Sequence, residues 1–224
     1  MKTKKILVTE SLQETLWRLE EVHQGFRSKS AAHVQEALQW VLSRQGLHES
    51  YFNLFMPMNQ DLSQGVRLLT GERMLSNAGT RHVLGEEALR TVIVWKLRSS
   101  SVVKQALKGF NDLLEAGAKS GHWCCYTCTT VFLRTLAVVK PDRWDGILKK
   151  GLNRIKKART ADGRWHGFPF YYTLLTLSEM DAPSAQAELR HASKIAERLL
   201  KRYRGDDRMS RFRRLGLEAA LSTV

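Results

Sequence analysis

The chain has 224 residues, 43% of them hydrophobic, and 36 Lys and Arg against 22 Asp and Glu give it a net charge of +14. That length can bury a core without disulfides or metal, no apolar run approaches the roughly 18 residues that cross a bilayer, and the start MKTKKILVTESLQ lacks the apolar stretch of a signal peptide, so a cytoplasmic protein with no membrane span is expected. Three cysteines in one segment (Cys124, Cys125, Cys128) exclude a disulfide framework, and the charge is uneven: residues 121–224 hold 20 basic and 10 acidic side chains, against 16 and 12 in residues 1–120.

Helical periodicity recurs from end to end and no stretch alternates with period two, which predicts an all-α fold. Leu12, Leu16, Leu19 and Val22 share one face of a first helix, opened by Thr9 or Ser11 and stopped by Gly25. Ser30 opens a second helix, with Val34, Leu38, Val41 and Leu42 as its stripe and Gly46 as its stop. A third is expected at about residues 60–72, a fourth at about 80–97, and a fifth from Ser101 to the Gly117/Gly121 turn. Residues 124–139 read as a helix apolar on nearly all sides, ending before Pro141 because the residue preceding proline is pushed out of the α region. Residues 142–158 are amphipathic, 168–180 apolar all round, and 183–203 amphipathic again. Such alternation places the first kind of helix inside and the second outside. One more short helix is expected after Gly205, within a basic tail at 204–224. With no linker in view, the reading is one domain over 1–224, its core repeats at about 30–203.

Gly121-His122-Trp123 and Gly163-Arg164-Trp165 lie 42 positions apart, and each feeds an aromatic, Thr-rich and then Leu-rich helix. A period near 40 residues marks stacked helical hairpins. ALQWVLSRQG (Ala37 to Gly46) resembles the outer-helix end of repeats in terpenoid cyclases and protein prenyltransferase β-subunits, and ADGRWHGFPFYYTLLTLSEM (Ala161 to Met180) resembles their turn and inner helix. The resemblance implies an α/α-toroid-like array. Because the chain is short for a full ring, an arc, an incomplete ring or a homo-oligomer that completes it is expected. The aromatic side of such an array, Trp123, Tyr126, Trp165, Phe168, Phe170, Tyr171 and Tyr172, together with the sparseness of catalytic motifs, gives the reading of a binding scaffold that takes an apolar ligand or a partner segment.

Catalytic motifs are sparse. The Asp-x-Asp-Asp acid of class II cyclases is absent, since Asp206-Asp207 lacks the third carboxylate, and no Walker loop, nucleophile elbow or dinucleotide fingerprint occurs. No cofactor is implied except zinc. His122, Cys124 and Cys128 offer an imidazole and two thiolates near one helix start, in faint likeness to the zinc-binding helix of the prenyltransferases, which leaves a metal-dependent transferase as a rival reading. The other readings of these cysteines are close packing of an inner helix and a reactive thiol. Glu86-Glu87 read as a solvated helix face. Thr70-Gly71-Glu72 and Arg81-His82 each read as a helix end with capping charges or as lining of a polar pocket near the second inner helix. Finally, Arg190, Lys194, Arg198 and Lys201 recur every three or four residues and form one stripe, which tracks nucleic-acid phosphates or is a solvated face.

Overall fold

A computed structural model describes residues 5–28, 30–74 and 76–223. These residues are helical, with isolated bridges in place of strands: α1 Leu12–His23, α2 Ala31–Leu42, α3 Asn59–Gln64, α4 Asn77–Val94, α5 Ser101–Glu115, α6 Tyr126–Val139, α7 Trp144–Lys157, α8 Phe170–Ser178, α9 Pro183–Arg202 and α10 Arg208–Leu221. The all-α expectation holds. No helix among the described residues is long and apolar enough to cross a membrane. The chain packs as two compact units, Met1–Val66 with Met74–Ala116, and Arg67–Arg73 with Gly117–Val224.

In the first unit, Ser11 caps α1 by accepting from the Glu14 amide (3.0 Å). Asp61, at the start of α3, accepts from Ser11 Oγ (2.7 Å) and the Leu12 amide (2.8 Å), so one buried carboxylate joins two helix starts across 50 residues. The helix expected at 60–72 is shorter. It stops at Gln64, because Gly65 takes a positive φ of 70° and the chain leaves the α region. Buried Glu20 of α1 and Arg90 of α4 meet at 2.8 Å, while α5 brings Gly109 so close to the Phe52 carbonyl that a β-carbon there would collide with it. Helix α4 corrects the reading of Glu86-Glu87 as a solvated face: Glu86 is buried, and burial raises its carboxyl well above the usual range, favouring the protonated form.

The second unit is built of hairpins. Helix α6 is enclosed over nearly its whole length, with Thr129, Thr130, Arg134 and Thr135 buried among Val131, Phe132, Leu133 and Leu136. Helix α8 is enclosed from Tyr172 to Leu177. By contrast α7 buries one stripe (Ile147, Leu148, Gly151, Leu152, Ile155), and so does α9 (Ala185, Glu188, Leu189, Ala192, Ile195, Ala196). Helix α6 packs on α7 and α8, α9 on α7, α8 and α10, and α10 on α8. Two inner and two outer helices therefore alternate as their patterning requires, with α10 laid over the second hairpin.

Polar locks hold the layers. Arg134 of α6 is fully buried and pairs with Glu179 after α8 through two nitrogens (2.9 and 2.6 Å), its guanidinium 5.4 Å from the Tyr172 ring. In the turn 67–73, Glu72 accepts from the Tyr172 amide (3.3 Å) and Arg213 of α10 donates to the Thr70 carbonyl (2.6 Å). Thr70-Gly71-Glu72 is therefore not the helix end expected of it: α3 stops at Gln64, and from the turn Glu72 instead accepts at the start of α8, a hundred residues away.

Candidate functional site

Each hairpin begins with a glycine turn docked on its own outer helix. Gly121 (φ 73°) rests on α7: a β-carbon there would lie 2.9 Å from both the Ile147 carbonyl oxygen and Gly151 Cα, and against the Gly151 nitrogen. Gly163 (φ 87°) rests on α9 in the same manner, 3.3 Å from the His191 carbonyl oxygen and 3.1 Å from Ile195 Cγ2 by the same measure. After the second turn, Trp165 is buried and its indole N–H donates to Glu188 (3.0 Å), which Arg159 grips through two nitrogens at 2.9 Å each. The local repeat was legible in sequence. Glu188 and Arg159 were not, because nothing local marks a buried carboxylate on an amphipathic helix as a tryptophan partner.

The aromatic residues do not gather on one open surface. Trp165, Phe168 and Tyr172 are core, Trp123, Phe170 and Tyr171 are half-buried, and Tyr126 is 45% exposed. Phe170 lies under the Arg164 guanidinium (5.3 Å) and Tyr171 under that of Arg213 (5.0 Å), so both rings already have partners. Tyr126 is set apart. Its ring packs over Gly167, where any β-carbon would strike it, and lies 4.8 Å from the Phe168 ring.

Of the proposed zinc ligands, Cys124 is exposed, Cys128 is buried, and their sulfurs lie within 4.8 Å of each other. His122 does not complete a set with them. Among the described residues it belongs to no group of ligand atoms so spaced, and its Nδ1 is 3.0 Å from Thr129 Oγ1. Partial burial, and the Arg154 charge to a smaller degree, hold its pKa below the ordinary value, so it is neutral at pH 7. These three residues do not fit a closed tetrahedral site, in which ligand atoms converge at about 2.0–2.3 Å from one ion. Cys125 caps α6, its sulfur accepting from the Cys128 amide (3.5 Å).

The basic residues of α9 are placed as their spacing implies. Arg190, Lys194, Arg198 and Lys201 are all exposed, opposite the buried Leu189, Ala192, Ile195 and Ala196. Neighbouring α7 likewise exposes Lys149, Lys150, Arg154, Lys156 and Lys157. Residues 67–73 and 117–224 hold 23 Lys and Arg against 11 Asp and Glu, hence +12, and the pairs Arg134–Glu179 and Arg159–Glu188 cancel charge for charge, so the whole excess remains on the other residues. Excess positive charge is thus left on the outward helices. No family model matches this chain, and no curated protein matches it.

Proposed function

We propose that this protein binds nucleic acid through the basic outward face of its second unit. The observation that carries the proposal is the α9 row: four cations on one exposed face, three of them without a carboxylate partner among the described residues, and the fourth, Lys201, in an exposed pair with Glu197. Water and salt screen an exposed pair of that kind, so it yields readily to a polyanion. Phosphate contact by such a row is electrostatic, independent of sequence and steeply salt-dependent.

The scaffold we infer is an α/α-toroid-like arc or incomplete ring of hairpins, a reading supported by the inner position of α6 and α8, the outer position of α7 and α9, and the turns that resemble terpenoid-cyclase and prenyltransferase repeats. The reading as a scaffold for an apolar ligand has less support, because Trp165, Phe168 and Tyr172 are consumed in packing. The transferase reading likewise lacks an assembled His122, Cys124 and Cys128 set.

Electrophoretic shift and anisotropy with labelled duplex DNA, single strands and RNA test the proposal. Binding is expected at micromolar protein in 50 mM salt, with Arg190, Lys194, Arg198 and Lys201 all replaced by Glu weakening it for every sequence alike. Failure to bind any of the three at low salt refutes it.

A further inference from the structure

The two glycine turns fix a register between the outer helices. Gly121 sits over Ile147 and Gly151 of α7, Gly163 over His191 and Ile195 of α9, so residues 44 apart are equivalent along these helices. That offset superimposes Lys150, Arg154 and Lys157 on Lys194, Arg198 and Lys201, cation for cation, and all six are exposed. The offset differs from the 42 residues between the turns, so sequence periodicity alone does not align them. Because α7 and α9 pack directly on one another, the two rows lie on adjacent helices, whose axes are about 8–10 Å apart in such packing. The first turn also lines its row: Lys150 Nζ donates to the Lys119 carbonyl (3.3 Å), and His122 lies close enough to Arg154 to feel its charge. Just beyond it stands Tyr126, 6.5 Å from His122 and the most exposed large aromatic side chain among the described residues, held from below by Gly167 and Phe168. Cation rows beside a rigidly held, exposed aromatic ring are the elements of single-strand recognition. The rows track phosphates and the ring offers a π-face to a base, which a duplex keeps inside its stack.

Resting on the nucleic-acid reading above, we propose that the ligand is single-stranded, that it crosses the repeat-equivalent rows of α7 and α9, and that one base stacks on Tyr126. The two rows contribute equally because they are the same repeat position used twice.

Fluorescence anisotropy of a labelled single strand, its duplex and an acidic polysaccharide, measured from 50 to 300 mM salt, tests this with three variants whose folds are checked by circular dichroism. Neutralising Lys150, Arg154 and Lys157 to Gln is expected to lower the slope of log affinity against log salt by about 2, and neutralising Lys194, Arg198 and Lys201 by the same amount, from about 0.7 per phosphate contact. Tyr126→Ala is expected to weaken single-strand binding roughly 5- to 150-fold, the range that a lost base–aromatic stack produces, while leaving the salt slope and duplex binding unchanged. A duplex or polysaccharide bound as tightly as the single strand, an α7 triple variant with unchanged slope, or a silent Tyr126→Ala overturns this proposal but leaves the broader one standing. Absence of all binding overturns both.

Discussion

Gly121 and Gly163 occupy equivalent turns, yet replacing each by Ala should have unequal cost, and the difference follows from what each β-carbon meets. Both residues have positive φ, 73° and 87°, where an L-residue is disfavoured by about 1–2 kcal/mol, partly offset by the 0.4–1 kcal/mol that Ala gains through a less flexible unfolded chain. That part, about 1 kcal/mol, is common to both. At Gly163 the new methyl meets Ile195 Cγ2 at 3.1 Å, a side-chain atom that gives way by a few tenths of an ångström, and the His191 carbonyl oxygen at 3.3 Å. At Gly121 the three nearest atoms are all backbone of α7: the Gly151 nitrogen, Gly151 Cα at 2.9 Å and the Ile147 oxygen at 2.9 Å. Backbone does not move without parting the turn from the helix, an overpacking cost of about 1–3 kcal/mol. Gly163→Ala is therefore expected to lose about 1 kcal/mol and Gly121→Ala about 2–4 kcal/mol, which at roughly 2–4 °C per kcal/mol separates their melting temperatures by several degrees. Thermal and urea unfolding, followed by circular dichroism and tryptophan fluorescence, measures both. Equal losses, or a larger loss at Gly163, refute the argument that backbone contact at Gly121 sets the register of α7.

Arg90→Met removes the cation from the buried Glu20 carboxylate, which keeps the Gln24 amide as a donor (3.0 Å), and should cost about 3 kcal/mol, most of which Glu20→Leu in the same chain restores; urea unfolding of the single and double variants checks it, and additive losses would show that the pair is not the cause. His82 is buried against the Tyr51 ring (3.7 Å between centroids), and desolvation lowers its pKa from 6.5 to about 4. The folded form therefore resists protonation, so its contribution to stability is present above pH 6.5 and is lost as pH falls from 6.5 towards 4. His82→Phe should flatten that acid limb in urea unfolding at pH 4.5–7.5.

The sequence by itself determined the class of fold and most of the elements. The sequence reading located each of the ten α-helices of the described residues, α3 with its end misplaced, because the period of an amphipathic stripe is a local property. It also distinguished enclosed α6 and α8 from one-faced α7 and α9, since a helix surrounded by others has no polar face to display. The glycine turns were visible because a backbone with positive φ in close contact admits little else. Where the reading failed, one signal was local and two were distant. The end of α3 rests on Gly65, a single residue that helical periodicity does not weigh, whereas Glu86 is enclosed by surroundings that its own helix does not encode, and Glu72 meets a helix start a hundred residues downstream. The candidate interface divides in the same way. The spacing of Arg190, Lys194, Arg198 and Lys201 placed them on one exposed face of a helix, but only packing determined that three of these cations have counterparts on α7. Register between helices is set where side chains and backbone of different segments meet, and a one-dimensional pattern records no such contact.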